Sequence, residues 1–424
     1  MFMEKIELQR IIVKETVAEY SFHYSDGLRR FFNLDRIFID FGLDISNVPV
    51  SMLTIPFVTS MSGLSWISDA VIYVDQIDET FYHSYNRIKS AYQELHSDYQ
   101  FKGILVPSVI VANSIQKNDE AVLLFSGGID CQTSYLRNRE RVPFVCCIEG
   151  WMSSEDEDNP IDSSEKEFSF SFAKRMGISA LHVRSNLFSA FNLGEIDSRF
   201  EKKLHTGYWF GFLHSMSFIA IAMQLCVALG VSNVMIASSY FKGRADLYCA
   251  SLVTTDSEFS FATNGRTIHD GFELNRQDKV GLIVSYQKQT GGEYPLLVCS
   301  FNDHNCCECE KCFRTIVGIA AEGADPKLFG FDYSGTLTEH LKGVMNNRLW
   351  NWGLSNESYY YYDFTKARIR ENLSLNKLDK EFAEWFLNFD FVKEHRKALI
   401  SYYKKNYFSI MKRKIRDLGS HIKR

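Results

Sequence analysis

The chain has 424 residues, 46% of them hydrophobic and 23% charged, with 34 Phe, 21 Tyr and only 7 Pro. That is enough apolar material for a sizeable core in two or three domains, and too little proline for long disordered linkers. A net charge of −5 excludes a polyanion binder acting through bulk charge and leaves room only for a local basic patch.

The N-terminus, MFMEKIELQRIIVKETV, carries charges within its apolar stretch and does not read as a secretory signal. The stretch from Ile6 to Tyr24 mixes apolar and polar residues as strands do. A helix is expected over Asp75–Leu95, where Ile77, Phe81, Tyr85, Ile88 and Tyr92 fall near helical spacing. The Ile, Leu and Val run at Gly103–Val111 reads as a strand. Residues 1–118 are thus expected to form an α+β accessory region.

From Glu120 the pattern changes. Short apolar runs at 121–125, 143–148, 178–183 and 232–237 read as buried strands. Helical patterns over Thr133–Glu140, Ser163–Met176 and Tyr208–Leu229 separate them. The run VGLIVSY at 280–286 fits either a fifth strand or part of a helix. Such alternation predicts an α/β fold with a parallel sheet covered on both faces, whose ligands bind beyond the strands' carboxyl ends. The most apolar run, Gly211–Leu229, is interrupted by His214, Ser215, Ser217 and Gln224, which points to a buried helix and no membrane span. A cytoplasmic location is expected.

Residues 326–424 read as a helical C-terminal region, with helices at 381–391 and 392–416. Its tail holds Lys404, Lys405, Lys412, Arg413, Lys414, Arg416, Lys423 and Arg424. A solvated helix face is favoured there over a nucleic-acid or partner contact.

Two constellations carry chemistry. The first is LLFSGGIDCQTSYL, Leu123–Leu136, where a buried strand gives way to a helix through Ser126-Gly127-Gly128. A helix N-terminus offers unpaired N–H groups and a favourable dipole to an anion. Gly127 and Gly128 let main chain approach a phosphate, and the Ser126 hydroxyl adds a hydrogen bond. Asp130 suits the first helical turn and could instead hold magnesium. A helix start lowers a thiol's pKa, so a reactive Cys131 is a second reading, held well below a plain hydrogen-bonding role. An ordinary tight turn is the alternative.

The second is VCSFNDHNCCECEKCFRT, Val298–Thr315. Cys299, Cys306, Cys309 and Cys312 follow a C-x6-C-x2-C-x2-C spacing, which suits a closed tetrahedral zinc site. Cys307 is a bystander or a substitute for Cys306. An iron–sulfur cluster and free buried cysteines are the other readings.

The motif S-G-G-x-D-S after a first parallel strand resembles that of the PP-loop (N-type) ATP pyrophosphatases, with Cys131 standing where the family commonly has Ser. With the four-Cys pattern after it, Ala121–Ala321 resembles the 7-cyano-7-deazaguanine synthase (QueC-like) family. This places a PP-loop domain with its cysteine cluster at 119–325. The resemblance implies ATP, Mg2+ and structural Zn2+, with nucleotide held by Ser126, Gly127, Gly128, Ile129, Asp130 and Cys131. Adenine would lie on main chain within Cys146 to Glu149, Ile148 included, unless that stretch is a plain strand end, and Arg184 and Ser238 would stand at the same rim.

Ser126 and Asp130 are expected to serve catalysis with Lys242 and Arg244, which would neutralise pyrophosphate or else belong to a plain surface loop. The implied reaction is adenylation of a carboxylate, such as a 7-deazaguanine, followed by transfer to ammonia or an amine. Relatives with added regions act on a protein partner in bacterial anti-phage operons, and the flanks make that variant an expectation here. Alternatives are a PP-loop RNA-thiolation enzyme and a non-catalytic nucleotide-binding scaffold. Arg276 and Lys279 sit three apart, as a phosphate contact or a solvated face. His269-Asp270-Gly271 fits a relay or a turn, and His214 a core histidine.

Overall fold

A computed structural model describes residues 4–150, 164–243, 251–299, 304–352, 356–375 and 377–421. The chain divides into two compact units, Met1–Leu274 and Asn275–Arg424.

The first unit is built on one eleven-stranded sheet. Its strands are β1 (Lys5–Lys14), β2 (Val17–Tyr24), β3 (Arg36–Asp40), β4 (Val71–Asp78), β5 (Ile104–Val111), β6 (Ala121–Leu124), β7 (Phe144–Glu149), β8 (Ser179–Ser185), β9 (Asn233–Ala237), β10 (Ser260–Phe261) and β11 (Gly265–Asp270). The order is β10-β11-β9-β6-β7-β8-β3-β2-β1-β4-β5. Strands β11, β9, β6, β7 and β8 run parallel. In chain order these five lie 5-4-1-2-3, so the winding reverses between β6 and β9, the switch point beyond whose carboxyl ends sheets of this kind form a ligand crevice.

The N-terminal strands continue the same sheet, because β3 pairs antiparallel with β8 through Ile39↔Ser185 and Asp40↔Arg184. Composition marks changes near residues 118 and 325, whereas the compact units part at 274/275. The continuous sheet is the physical reason that residues 1–118 and 119–274 share one unit.

The helices of this unit are α1 (Val50–Ser68), α2 (Glu79–Leu95), α3 (Ile129–Asn138), α4 (Ser164–Met176), α5 (Leu187–Ala190), α6 (Leu193–Leu204), α7 (His214–Leu229) and α8 (Val253–Asp256). Helix α1 is buried from Ser51 to Ile67. Its Thr59, Ser60 and Ser62 hydroxyls donate to main-chain carbonyls one turn back, which makes their burial tolerable. Where α1 meets the helical turn Trp209–Leu213 that leads into α7, a Cβ on Gly63 would come within 2.9 Å of the Phe212 Cβ, so only glycine permits this approach. Two helical stretches, Val50–Ser68 and Trp209–Leu229, are long and apolar enough to cross a membrane, but 94% and 72% of their apolar windows are buried inside the fold.

Some elements differ from expectation. The helix expected from Asp75 starts at Glu79, because Val71–Asp78 is strand β4 and Asp78 caps α2 by accepting from Phe81 N–H. The fifth parallel strand is β11, GRTIHD. Residues 280–286 instead lie in helix α9 (Arg276–Thr290), which starts at an Asn275–Asp278 capping box and ends at Gly291.

The second unit is helical, as expected for its C-terminal part. Besides α9 it holds α10 (Glu310–Ala321), α11 (Leu337–Arg348), α12 (Asn356–Ser374), α13 (Lys380–Asn388) and α14 (Phe391–His421). Gln277 knits three helices together. Its amide donates to Gly318 O (2.9 Å) and Glu322 Oε1 (2.7 Å), and its oxygen accepts from Thr365 Oγ1 (3.0 Å). Rings complete the core, with Tyr362 stacked on Phe391 at 3.9 Å.

Candidate functional site

In the first unit the Ser-Gly-Gly turn stands at the switch point of the sheet. Strand β6 ends at Leu124, and Phe125 N–H still donates to Cys146 O of β7 (2.8 Å). The chain then turns through Gly127 at φ +81°, a left-handed conformation that favours glycine. Gly128 is the N-cap of α3, and the first helical bond is Gln132 N–H to Gly128 O (3.1 Å). The amides of the first turn precede that bond and have no intrahelical acceptor. The Gln132 side chain braces the turn by donating to Gly127 O (2.7 Å). Ser126 is exposed, Gly128 and Asp130 are half-buried, and Gly127 and Ile129 are buried.

Cys131 points back into this turn. Its sulfur lies 3.3 Å from Gly128 O and 4.0 Å from Ser126 Oγ. Burial pushes its thiol up to about 11, outweighing nearby main-chain donors. Desolvation thus wins over the dipole at this helix start, which speaks against the reactive-thiol reading.

Across the crevice, Ser238 follows β9. Its hydroxyl donates to Tyr240 O (2.8 Å) and its N–H to Asp270 O (2.8 Å), so it shapes the turn. Lys242 is exposed and tied by its N–H to Phe272 O (2.9 Å). Arg244 lies outside the described residues. Asp270, on β11, accepts from Ser134 Oγ (2.7 Å) and pairs with Arg137 Nε (3.3 Å), which locks α3 against β11. His269 faces elsewhere. Its Nδ1 is 2.8 Å from Asp256 Oδ2, with both side chains fully buried.

At the other rim, Ile148 and Glu149 end β7. Glu149 is buried and lies 2.7 Å from His182 Nε2. Arg184 donates from Nη2 to Asp40 Oδ2 (2.8 Å), so the charge expected to face phosphate is engaged at the β8–β3 seam. Burial raises the Asp40 carboxyl, but hydrogen bonds from Arg184, Gly42 N–H and Thr16 outweigh it and hold the group below its ordinary range. This pair joins residues 144 apart in sequence and carried no local signal.

In the second unit the four expected cysteines come together. The sulfurs of Cys299, Cys306, Cys309 and Cys312 all lie within 4.8 Å of one another, with Cys306 and Cys312 at 3.9 Å. A tetrahedral ion with metal–sulfur bonds of about 2.3 Å needs sulfurs about 3.8 Å apart. The set can therefore bind a metal ion such as zinc.

The local fold builds it. Cys309 N–H donates to Cys306 Sγ (3.3 Å) and Cys312 N–H to Cys309 Sγ (3.4 Å), with Cys309 as the N-cap of α10. The Cys312 thiol and N–H draw the Cys309 thiol down to about 5, against burial. Cys307 takes no part: at φ +60° it turns its sulfur to Asn305 O (3.5 Å) and Asp332 O (3.4 Å).

Asn305 is a residue sequence reasoning missed. It accepts from Val298 N–H (2.9 Å) and donates to Leu296 O (2.7 Å) and Gly330 O (3.1 Å), pinning the segment that carries Cys299 beside the Cys306 loop. Next to the cysteines lies an open polar cleft lined by Glu308, Glu339, His340, Asn347 and Arg348.

In comparisons with protein-family models, curated proteins and solved structures, nothing matches this chain.

Proposed function

We propose that the chain is an ATP-dependent enzyme of the PP-loop type that adenylates a carboxylate and passes the acyl group to ammonia or an amine. The observation that carries this reading is the placement of Ser126-Gly127-Gly128. The turn leads the central strand of a 5-4-1-2-3 parallel block into a helix at the switch point, where such sheets take nucleotides. The resemblance to the PP-loop and QueC-like families rests on residues 126–131 and the cysteine spacing.

In this reading the first-turn amides of α3 and the Ser126 hydroxyl hold triphosphate oxygens. Asp130 would hold magnesium, which supplies charge neutralisation. Adenine would lie against main chain near Ile148, with Ser238 and Lys242 on the β9 side, and Arg244 would add a second cation for pyrophosphate. A substrate carboxylate oxygen attacks the α phosphorus, and pyrophosphate leaves with both electrons of the broken P–O bond. The nitrogen nucleophile then attacks the acyl carbon, loses a proton and expels AMP. Alignment and charge stabilisation are the protein's contribution.

The substrate class proposed from the resemblance is a 7-deazaguanine carboxylate, with a protein from the same operon as the acceptor in a defence setting. The four cysteines would hold zinc as a structural clamp. The burial and raised thiol of Cys131 speak against a sulfur-carrying, RNA-thiolating role.

The test is pyrophosphate release from ATP across a panel of carboxylates and candidate partners. Release that falls at least about a hundredfold in Ser126→Ala and Asp130→Asn supports the proposal. Nucleotide binding without release under every condition would favour a scaffold.

A further inference from the structure

The C-terminal helix α14 buries one face and leaves the neighbouring apolar face uncovered. In its first half, Phe391 and His395 are buried, and Tyr402, two turns further along the same side, stacks on Trp350 at 3.8 Å. About a third of a turn further round, Val392, Ile400 and Tyr403 are 59%, 48% and 57% exposed, with exposed Arg396 among them. These three lie within about 80° of one another around a helix of 3.6 residues per turn. The sequence carries their spacing onward through Tyr407, Met411 and Leu418, over a helix that runs to His421.

Charge is segregated in the same place. Residues 391–424 hold eleven Lys and Arg against two acidic residues, a net +9, so the other 390 residues carry −14. Lys393, Arg396, Lys397, Lys404 and Lys405 are exposed on the described part. Stabilising a helix C-terminus needs basic groups in the last turn alone. It does not call for an uncovered apolar stripe along several turns.

We propose that α14 docks on an anionic lipid surface, lying in the interface plane with Val392, Ile400 and Tyr403 inserted and its lysines and arginines against the headgroups. An uncovered apolar stripe combined with a strongly basic helix fits that environment. A nucleic-acid backbone would satisfy the charge and leave the aliphatic stripe in water. This is contact with a surface and not a span, and it is independent of the chemistry proposed for the first unit.

The test is flotation of the full-length protein with phosphatidylcholine vesicles containing about 30% phosphatidylserine, against pure phosphatidylcholine vesicles. Binding to the anionic vesicles alone, weakened by salt, is the expected result. Ile400→Ser with Tyr403→Ser should weaken it more than about tenfold. Lys404→Gln with Lys405→Gln should weaken it about twenty-five-fold, near fivefold for each charge. All four positions are exposed, and unchanged melting curves would show the variants folded. No binding to anionic vesicles, undiminished binding by the Ile400/Tyr403 variant, or binding to a single-stranded RNA oligonucleotide alone would overturn the proposal.

Discussion

The Cys131 sulfur and the Gly128 carbonyl oxygen lie 3.3 Å apart, closing the turn that starts α3. The thiol is thereby held as a structural part of the turn. In Cys131→Ser a stronger donor of similar size takes its place. Binding of Mg-ATP to this variant should tighten about three- to tenfold, as read by isothermal titration calorimetry. In the wild type, iodoacetamide should leave Cys131 unlabelled at pH 8, since its thiol is buried and raised to about 11.

The cysteine centre predicts a metal stoichiometry. Purified protein should carry about one zinc ion per chain, and Cys309→Ala should lose it while Cys307→Ala keeps it. Elemental analysis by mass spectrometry separates the two. Binding the ion displaces thiol protons, so affinity should fall as pH drops from about 7 to about 5. Release to a chromogenic chelator follows this directly.

The Asp40–Arg184 pair predicts a pH-dependent stability. The Asp40 carboxyl sits below its ordinary value in the fold, so its contribution is fully present above the unfolded value of about 3.9. It is lost as pH falls through the lower folded value. Asp40→Asn should therefore be less stable than wild type at pH 7, by about 1–2 kcal/mol for a half-buried pair, and the gap should close below about pH 4. Urea denaturation at several pH values measures this.

The buried Asp256–His269 contact at 2.8 Å holds α8 against β11. Removing the carboxylate in Asp256→Ala leaves a fully buried imidazole without this partner. A loss of about 1–3 kcal/mol is expected from the midpoint of chemical denaturation.

Legibility in the sequence followed the range of the interactions. Strands β6 to β9 could be read because each is a short continuous apolar run. The cysteine set could be read because three ligands lie within seven residues. Strand β11 escaped notice because GRTIHD alternates polar residues, with Asp270 serving Arg137 and His269 serving Asp256. Residues 280–286 were ambiguous by periodicity alone, and the Asn275–Asp278 capping box decides for helix. Helix α1 has apolar residues on every side and Pro56 inside it, so it shows no helical period. The engagement of Arg184 by Asp40 depends on a strand pairing that no local pattern announces.

The most direct check of the central claim is calorimetric titration of the full-length protein with a non-hydrolysable ATP analogue and magnesium, for the wild type, Ser126→Ala and Gly128→Ala. The account predicts saturable binding to the wild type, weakened about tenfold or more when either position of the turn is changed. Absence of binding to the wild type, or equal affinity in all three proteins, would contradict it.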